Sequence, residues 1–322
     1  MSGVVFMLPA LIGFIVDLIL GDPYALPHPV RWIGSMISRL ERAIRKSFAG
    51  DLKKGGAVLC AVVAAISTLV PLAILFVLYH IDLWVGIAAE GIMCYYLIAP
   101  RCLRDESMKV YRAIGEGDLA KARKAVSMIV GRDTERLDEA GIVRAAVETV
   151  AENTSDGVTA PLIFISLGGA ALGFFYKAVN TMDSMIGYKN EKYADLGRTA
   201  ARLDDLLNFL PSRLTALAMI LSAYLLGLNG KNAYRIWRRD RRKHASPNSA
   251  QTEAVCAGAL GIRLAGDAYY FGELYKKETI GDDLRPVEKE DIRRANRLMY
   301  LTSAIVLIAT AALRAILMGV IL

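Results

Sequence analysis

One short polar pattern occurs twice in the sequence. Residues 151–156 and 178–183 both read A-x-N-T-x-D, 27 residues apart. On a helix, the Asn and Asp of each copy share one face. If the two copies meet, their oxygen atoms suit Mg²⁺, which also holds phosphates; the alternative is a pair of helix N-caps at a membrane boundary. The predicted metal ligands of the two copies are Asn153, Asp156, Asn180 and Asp183.

A mixed-charge stretch overlaps and follows the second copy. Such a mixture is typical of a solvated surface. The other interpretation is a cradle in which carboxylates hold Mg²⁺ and basic side chains neutralise phosphate oxygens. The acidic residues are Glu191, Asp195, Asp204 and Asp205, and the basic ones are Lys177, Lys189, Lys192, Arg198, Arg202 and Arg213.

The N-terminal region holds a second candidate group. Asp17 lies in an apolar stretch, where an ionisable side chain indicates function by default. Three prolines within seven residues, at 23, 27 and 29, form a rigid loop that orients His28 and Arg31. The possible roles of His28 are a base, a phosphate contact or a hydrogen-bonded loop residue.

A basic run near the C-terminal third precedes a third polar group. Six of the nine residues in 235–243 are Lys or Arg, and they form either a membrane anchor on the inner face or part of a site. The short polar side chains that follow are suited to hydrogen-bonding a polar ligand. They belong to His244, Ser246, Asn248 and Ser249.

The elements that carry these groups are predicted to be membrane helices. The chain has 322 residues, of which 54% are hydrophobic, with a net charge of +7. This composition excludes disordered, collagen-like and disulfide-scaffold proteins, and the four cysteines form no C-x-x-C pair. Basic cytoplasmic loops explain the positive charge without a nucleic-acid partner.

Charge and hydropathy together predict an all-α, polytopic integral membrane protein with a single domain, 1–322. Loops rich in Lys and Arg lie on the cytoplasmic side, which places the N-terminus outside. We expect these loops to be helical, with Asp118 as a helix cap. The predicted spans are about 4–20, 56–79, 83–100 and 299–322, and the cytoplasmic loops are 31–54, 101–157 and 231–298.

Two further apolar segments, 158–179 and 214–230, are either ordinary spans or something else. Gly168-Gly169 divides the first into two arms of roughly ten residues, the length of a re-entrant hairpin. A fold-back there brings the two A-x-N-T-x-D copies together, whereas a straight span separates them. The sequence has neither a Rossmann nor a P-loop phosphate motif.

These motifs resemble the adenosylcobinamide-phosphate synthase family of cobalamin biosynthesis, membrane proteins called CbiB or CobD. The likeness runs in register from about residue 10 to residue 272. The strings that carry it are D-L-I-L-G-D-P and P-H-P-V-R-W-I-G near the start, V-G-R-D-T at 130–134, V-E-T-V-A-E-N-T-S-D-G at 147–157, Y-K-A-V-N-T-M-D-S-M-I-G-Y-K-N at 176–190, A-R-L-D-D at 201–205, H-A-S-P-N-S at 244–249 and G-A-L-G-I-R-L-A-G at 258–266.

The resemblance implies an amide ligase that uses ATP and Mg²⁺ to join aminopropanol phosphate to a corrin carboxylate of adenosylcobyric acid. It implies a multi-pass cell-membrane protein, and the loop charges place the active site on the cytoplasmic side. A homo-oligomer is one possible assembly. In this light Asp204 and Asp205 are further metal ligands. The implied catalytic residues are His28, Lys177, Asp156 and Asp183, and the implied ligand-binding residues are Arg31, Arg132, Lys189, Arg198, Arg202, His244, Ser246 and Asn248.

Two rival functions fit parts of the pattern. An intramembrane, Mg²⁺-dependent prenyltransferase also uses two acidic motifs to hold a diphosphate, but it does not explain H-A-S-P-N-S or P-H-P-V-R. A transporter would line a midplane site with Asp17 and the segment broken at Gly168-Gly169.

Overall fold

The computed structural model describes residues 7–23, 27–188, 190–270 and 272–321. These residues are predominantly helical, as the sequence predicts. The helices are α1 (Leu8–Leu20), α2 (Pro29–Ser47), α3 (Leu52–Ile81), α4 (Leu83–Tyr95), α5 (Pro100–Gly115), α6 (Leu119–Ser127), α7 (Glu139–Asn153), α8 (Ala160–Ile186), α9 (Arg198–Leu225), α10 (Gly230–Asp240), α11 (Ser249–Leu260) and α12 (Glu290–Ile321), with a π-helical turn at Thr154–Thr159.

Contacts divide the chain into two compact units. The single integral domain predicted from the sequence stays a prediction. The first unit comprises Met1–Ala99, Pro161–Asn208 and Leu307–Leu322, and the second comprises Pro100–Ala160 and Phe209–Val306.

Several helical stretches have the length and composition of membrane spans. Helix α3, with 30 residues, is about 45 Å long, more than the hydrocarbon core of a bilayer. It exposes large apolar side chains, including Leu69, Phe76 and Val77, which suit contact with lipid. The protein is thus a polytopic membrane protein, although α1 is shorter than these stretches. Within the described residues the candidates are Leu52–Ile81, Leu83–Gly115, Glu139–Ile186, Arg198–Leu225 and Glu290–Leu313.

Helix α8 folds back on itself at the glycine pair. Gly168 and Gly169 have non-helical backbone angles, and Gly169 has a φ of 68°. The rings of Phe164 and Tyr176 stack with centroids 4.9 Å apart, whereas twelve residues of straight helix would separate them by about 18 Å. The predicted fold-back is therefore confirmed. Its insertion from one face of a membrane stays a prediction.

A carboxylate on α4 stabilises this turn. Glu90 accepts a hydrogen bond from the backbone N–H of Ala170 at 2.9 Å and another from the hydroxyl of Tyr79 at 2.5 Å. The first N–H groups of a helical arm lack intrahelical partners, and an unsatisfied one is expensive in an apolar environment. Glu90 therefore provides a hydrogen-bond acceptor for a backbone N–H at the start of the second arm of the hairpin.

In the first unit, close helix packing fixes the N-terminal segment. A Cβ added to Gly13 would lie 2.6 Å from the Cβ of Cys94, so α1 and α4 approach each other through glycine. The hydroxyl of Tyr95 donates to the carbonyl of Gly21 at 2.6 Å. These contacts hold the end of α1, where Asp17 is buried.

The second unit contains two small β-ribbons beside its helices. Asp118 caps α6 by accepting from the N–H of Lys121, as predicted from the sequence. The ribbons between residues 264 and 280 were not predicted, because strands of two or three residues are too short to show alternation. Strand β1 (Leu264–Ala265) pairs antiparallel with β4 (Thr279–Ile280), and β2 (Ala268–Tyr270) with β3 (Glu273–Tyr275).

Candidate functional site

The predicted site residues fall into both units. Lys189 lies outside the residues that the structure describes. The first unit holds His28, Arg31, Lys177, Asn180, Asp183, Arg198, Arg202, Asp204 and Asp205, and the second holds Arg132, Asn153, Asp156, His244, Ser246 and Asn248.

The first unit contains a cluster of carboxylates and amides, here called the amide cluster: Asn180, Asp183, Asp204, Asp205 and Asn208. Asp204 is buried on α9 and accepts hydrogen bonds from Asn180 of α8 at 3.4 Å and from Asn208 at 3.0 Å. The charges of Asp183 and Asp205 repel that of Asp204. The structure thus brings Asp204 of the A-R-L-D-D string next to the second A-x-N-T-x-D copy.

A buried tyrosine, Tyr176, fixes one amide of the amide cluster. The hydroxyl of Tyr176 donates to the side-chain oxygen of Asn208 at 2.8 Å, and both residues are fully buried. This bond orients the amide so that its nitrogen donates to Asp204. Because Tyr176 also stacks on Phe164, the fold-back of α8 positions the amide cluster directly.

The donor set of the amide cluster fits Mg²⁺ held partly by phosphate. The described residues contain no group of three or more His, Cys, Asp and Glu side chains arranged to hold a metal, so this part of the chain offers no all-protein cage. Mg²⁺ usually takes only one or two carboxylates and completes its shell with water and substrate phosphates. Asp183 and Asp204, supported by amides, match that requirement.

Lys177 and His28 lie close to each other in the same unit. Lys177 is one turn before Asn180 on α8, and its charge acts on the imidazole of His28. Burial, more than the charges of Lys177 and Arg31, lowers the pKa of His28 below 6.5, against the opposing effect of Asp22. Burial therefore favours the neutral ring of His28.

Both ring nitrogens of His28 have contacts. Nδ1 accepts the N–H of Val30 at 3.2 Å, which caps α2, and Nε2 lies 3.5 Å from the carboxylate of Asp22. A neutral ring with an accepting Nδ1 carries its proton on Nε2. A role for His28 as a proton acceptor stays a prediction and requires one of these contacts to break.

Two further predicted phosphate contacts, Arg198 and Arg202, are exposed on the first turns of α9. Residues four apart lie on one helix face, so their charges act on the same side of α9. Among the described residues of the first unit, none forms a hydrogen bond or ion pair with either guanidinium group. Their predicted phosphate contacts stay predictions.

The second unit contains a buried acidic group with a matched cation, here called the glutamate cluster: Arg132, Glu148, Glu152 and Glu253. Glu148 forms an ion pair with Arg132 and accepts the backbone N–H of Ala265 at 2.7 Å. Burial by itself lowers the pKa of Arg132, but the charge and hydrogen bond of Glu148 raise it overall. The ion pair therefore favours the charged form of the Arg132 guanidinium.

The other two carboxyl groups of the glutamate cluster differ from Glu148. Glu152, one turn later on α7, accepts the hydroxyl of Ser249 at 2.7 Å. Glu253 on α11 is only 4% exposed. Burial raises the pKa of Glu253 well above 4.5, and the charges of Glu152 and Glu148 add to the shift. The cluster thus holds one buried carboxyl group whose protonated form is favoured by its surroundings.

The H-A-S-P-N-S loop is ordered by its own side chains. Nδ1 of His244 accepts the N–H of Ser246 at 3.0 Å, and Oγ of Ser246 accepts the N–H of Asn248 at 3.3 Å. Asn248 in turn accepts from Ser212 and Arg213 at 3.3 and 3.1 Å. Burial lowers the pKa of His244, against the opposing charge of Glu152.

The first A-x-N-T-x-D copy lies at the junction of α7 and the π-helical turn. The amide of Asn153 donates to the carbonyl of Thr149 at 3.0 Å and caps no helix. Asp156 lies within the turn, a conformation that is frequent at functional sites. Neither unit by itself holds both copies, so the four-residue metal site stays a prediction.

Sequence reasoning missed Glu148, Glu152, Glu253 and Lys277 as members of a site. The signal was present for two of them, because Glu148 and Glu152 are four residues apart in an otherwise apolar helical stretch. Glu253 and Lys277 gave no comparable signal, since their proximity to α7 depends on tertiary packing. Lys277 is close enough for its charge to act on both Glu253 and His244.

Comparisons with known proteins agree on one family. A family model described as CobD/Cbib protein matches residues 10–299. The chain is 48% identical to cobalamin biosynthesis protein CobD of Clostridium perfringens over 97% of this chain and 99% of that protein. It is 47% identical to cobalamin biosynthesis protein CbiB of Salmonella typhi over 96% and 98%. No solved structure matches the chain.

Proposed function

The chain belongs to the CobD/Cbib protein family, and from this premise we propose that it joins aminopropanol phosphate to adenosylcobyric acid with ATP. Its relatives are named cobalamin biosynthesis proteins, and it has the same role. The observation that supports this reaction is the match of the family model to residues 10–299. This range contains the residues of both the amide cluster and the glutamate cluster.

The reaction needs an activated carboxylate, because a free carboxylate is a poor acyl donor. In the proposed first step a carboxylate oxygen attacks the γ-phosphorus of ATP; the new C–O–P linkage forms, the β–γ bond breaks and ADP leaves. In the second step the amine nitrogen attacks the acyl carbon, the C–O bond breaks and inorganic phosphate leaves. The proton of the attacking amine passes to a base.

The amide cluster supports the activation step. Asp183 and Asp204 would hold Mg²⁺, which supplies charge neutralisation at the phosphate oxygens. Asn180 and Asn208 orient Asp204 through their hydrogen bonds, and Lys177 adds a positive charge one turn away on α8. Arg198 and Arg202 offer further cations for phosphate oxygens on the exposed start of α9.

The glutamate cluster supports the amine step. Arg132 is occupied by Glu148, so its proposed task is to hold that carboxylate rather than to grip phosphate. Glu253, whose pKa is raised by burial and by the neighbouring carboxylates, is suited to take up the proton of the amine, since burial and neighbouring charges tune general bases toward the working pH.

The proposal is tested by direct product formation. The purified full chain in detergent or nanodiscs receives adenosylcobyric acid, aminopropanol phosphate, ATP and Mg²⁺, and mass spectrometry follows the amide. We expect a product that requires all four components. Absence of the amide from well-folded protein, in an assay that detects authentic product, would contradict the proposal, as would formation of the amide without ATP.

The membrane topology has a separate test. A cysteine placed at position 190 should react with a membrane-impermeant thiol reagent from the cytoplasmic side, because the proposed site faces the cytoplasm. The background is a variant with the four native cysteines replaced. Labelling from the outside only would overturn the cytoplasmic placement.

A further inference from the structure

The second unit has a small cavity of about 260 Å³ with a strongly basic lining. It lies between the start of the H-A-S-P-N-S loop and the ribbon of β1 and β4. Five of its eight lining residues carry basic side chains and one is acidic. They are Arg242, Lys243, His244, Ala245, Ala265, Lys276, Lys277 and Glu278.

The charge of this cavity is only partly neutralised by the protein. Lys243 pairs with Asp240 at 3.0 Å, and Lys277 donates to the hydroxyl of Tyr270 at 2.7 Å. Within the described residues, Arg242 and Lys276 have no carboxylate at ion-pair distance. Two cations without a counter-charge, beside one small cavity, favour an anionic ligand.

His244 adds a neutral hydrogen-bond donor to the cavity lining. Its Nδ1 accepts the N–H of Ser246, so in the neutral ring the proton is on Nε2. Burial keeps the ring neutral by lowering its pKa. The Nε2–H is therefore a donor of fixed orientation, which suits a phosphate oxygen.

The volume of the cavity limits which phosphate compound of the proposed reaction can bind in it. Cavities that enclose drug-sized ligands measure about 300–1,000 Å³, and this cavity is smaller. A nucleotide or a corrin ring exceeds it, whereas a three-carbon phosphate ester does not. The single acidic lining residue, Glu278, is an ion-pair partner for an ammonium group at the other end of such an ester.

We infer that this cavity binds the small phosphorylated amine, with Arg242, His244 and Lys276 on its phosphate and Glu278 on its ammonium group. This assignment rests on the proposed function for the identity of the ligand. It does not use Arg132, an implied ligand-binding residue, because Arg132 is already paired with Glu148.

Substrate kinetics test the assignment in the full chain. A charge-assisted hydrogen bond contributes about 1.5–3 kcal/mol, or at least tenfold in affinity, so the double variant R242A/K276A should raise the KM for aminopropanol phosphate more than tenfold. The KM values for ATP and adenosylcobyric acid should stay within about twofold. K231A is the matched control, since Lys231 is exposed and does not line the cavity.

The outcome also separates the two possible phosphate sources. An unchanged KM for aminopropanol phosphate in the double variant overturns the inference. A KM that rises for ATP alone also overturns it and assigns the cavity to a nucleotide phosphate.

Direct binding separates this inference from the proposed function. Calorimetry on the full chain in detergent uses aminopropanol phosphate, propyl phosphate and inorganic phosphate as probes. We expect R242A/K276A to weaken all three, and Glu278→Gln to weaken only aminopropanol phosphate. If no amide forms but this pattern holds, the reaction is refuted and the cavity assignment stands. If amide forms but the wild type and the double variant bind aminopropanol phosphate equally, the cavity assignment is refuted and the proposed reaction stands.

Discussion

The amide cluster and the glutamate cluster bury carboxylates in different ways. In the first, neutral amides donate to Asp204, and the neighbouring carboxylates of Asp183 and Asp205 add negative charge. In the second, Arg132 neutralises Glu148 directly. One region therefore orients its buried carboxylate with neutral donors, whereas the other neutralises Glu148 with a cation.

This difference separates the tasks that the two regions can perform. A carboxylate supported only by amides still attracts a cation, so the amide cluster suits Mg²⁺ and its phosphates. A carboxylate already paired with arginine has little attraction left, but it fixes the surrounding backbone, here at Ala265. We therefore expect mutations in the glutamate cluster to lower stability more than activity. Mutations in the amide cluster should lower activity more than stability.

The largest effect is expected when the buried ion pair is broken. Glu148→Gln leaves Arg132 charged and without its partner in a buried site, and we expect a loss of about 3–5 kcal/mol in the free energy of unfolding. Denaturant or thermal unfolding of the detergent-solubilised protein measures this loss. The exposed pair of Glu116 and Lys121 gives the control, Glu116→Gln, which should change stability little. Equal effects of the two substitutions would contradict the role of burial.

The amide cluster should respond in activity rather than in stability. Asp204→Asn keeps the shape of the side chain but removes its charge. The rate of amide formation should fall about 10–100-fold, which is the usual loss when a side chain that supports a metal site is removed. The Mg²⁺ concentration needed for half-maximal rate should rise. Stability should change less than in Glu148→Gln, because the substitution removes repulsion from Asp183 and Asp205 but turns one of the two acceptor oxygens into a donor. The control is the half-buried neighbour, Asp205→Asn, with a smaller effect. A loss of stability with a normal Mg²⁺ dependence would mean that Asp204 has a structural role and would contradict its role in holding Mg²⁺.

The glycine turn that positions the amide cluster gives an intermediate effect. In Gly169→Ala a side chain must adopt the left-handed conformation, at about 1–2 kcal/mol, and its Cβ meets the carboxylate of Glu90. Gly227→Ala is the matched control, since Gly227 has a similar φ of 69° and nothing within 4 Å of an added Cβ. Thermal unfolding should show the larger loss at position 169. Equal losses would mean that the contact with Glu90 contributes nothing.

The smallest effect concerns the pH dependence of the glutamate cluster. The folded protein raises the pKa of Glu253 above 4.5, so the folded state retains a proton that the unfolded chain has released. Stability therefore falls as pH rises from about 4.5 through the folded pKa, by at most about 1.4 kcal/mol per pH unit from this group. Glu253→Gln should remove this slope. Unfolding curves from pH 5 to 8 measure it, and an unchanged slope would contradict the account.

Much of the fold was predictable because membrane helices have strong local signals. The apolar stretches, the Asp118 cap and the turn at Gly168-Gly169 all follow from hydropathy, capping or glycine content. The two β-ribbons between residues 264 and 280 did not, since their pairing joins strands too short to have a pattern. Glu90 was also missed, because only the tertiary structure brings it to Ala170.

The candidate site was predictable in part for a related reason. Asn180, Asp183 and Asp204 stand out as polar groups in repeated or charged strings. Spacing along the chain does not reveal that Asn208 and Tyr176 orient Asp204, nor that Glu253 joins Glu148. The cavity of the second unit combines residues from 242–245 with residues from 265–278, which no local pattern connects.

Isotope transfer tests the central claim, ATP-dependent amide formation through an activated carboxylate, most directly. Adenosylcobyric acid labelled with ¹⁸O in the reacting carboxylate is converted by the purified full chain with ATP, Mg²⁺ and aminopropanol phosphate. We expect one ¹⁸O atom in the inorganic phosphate released for each amide formed, detected by mass spectrometry. Amide formation with unlabelled phosphate, or phosphate release without amide, would contradict it.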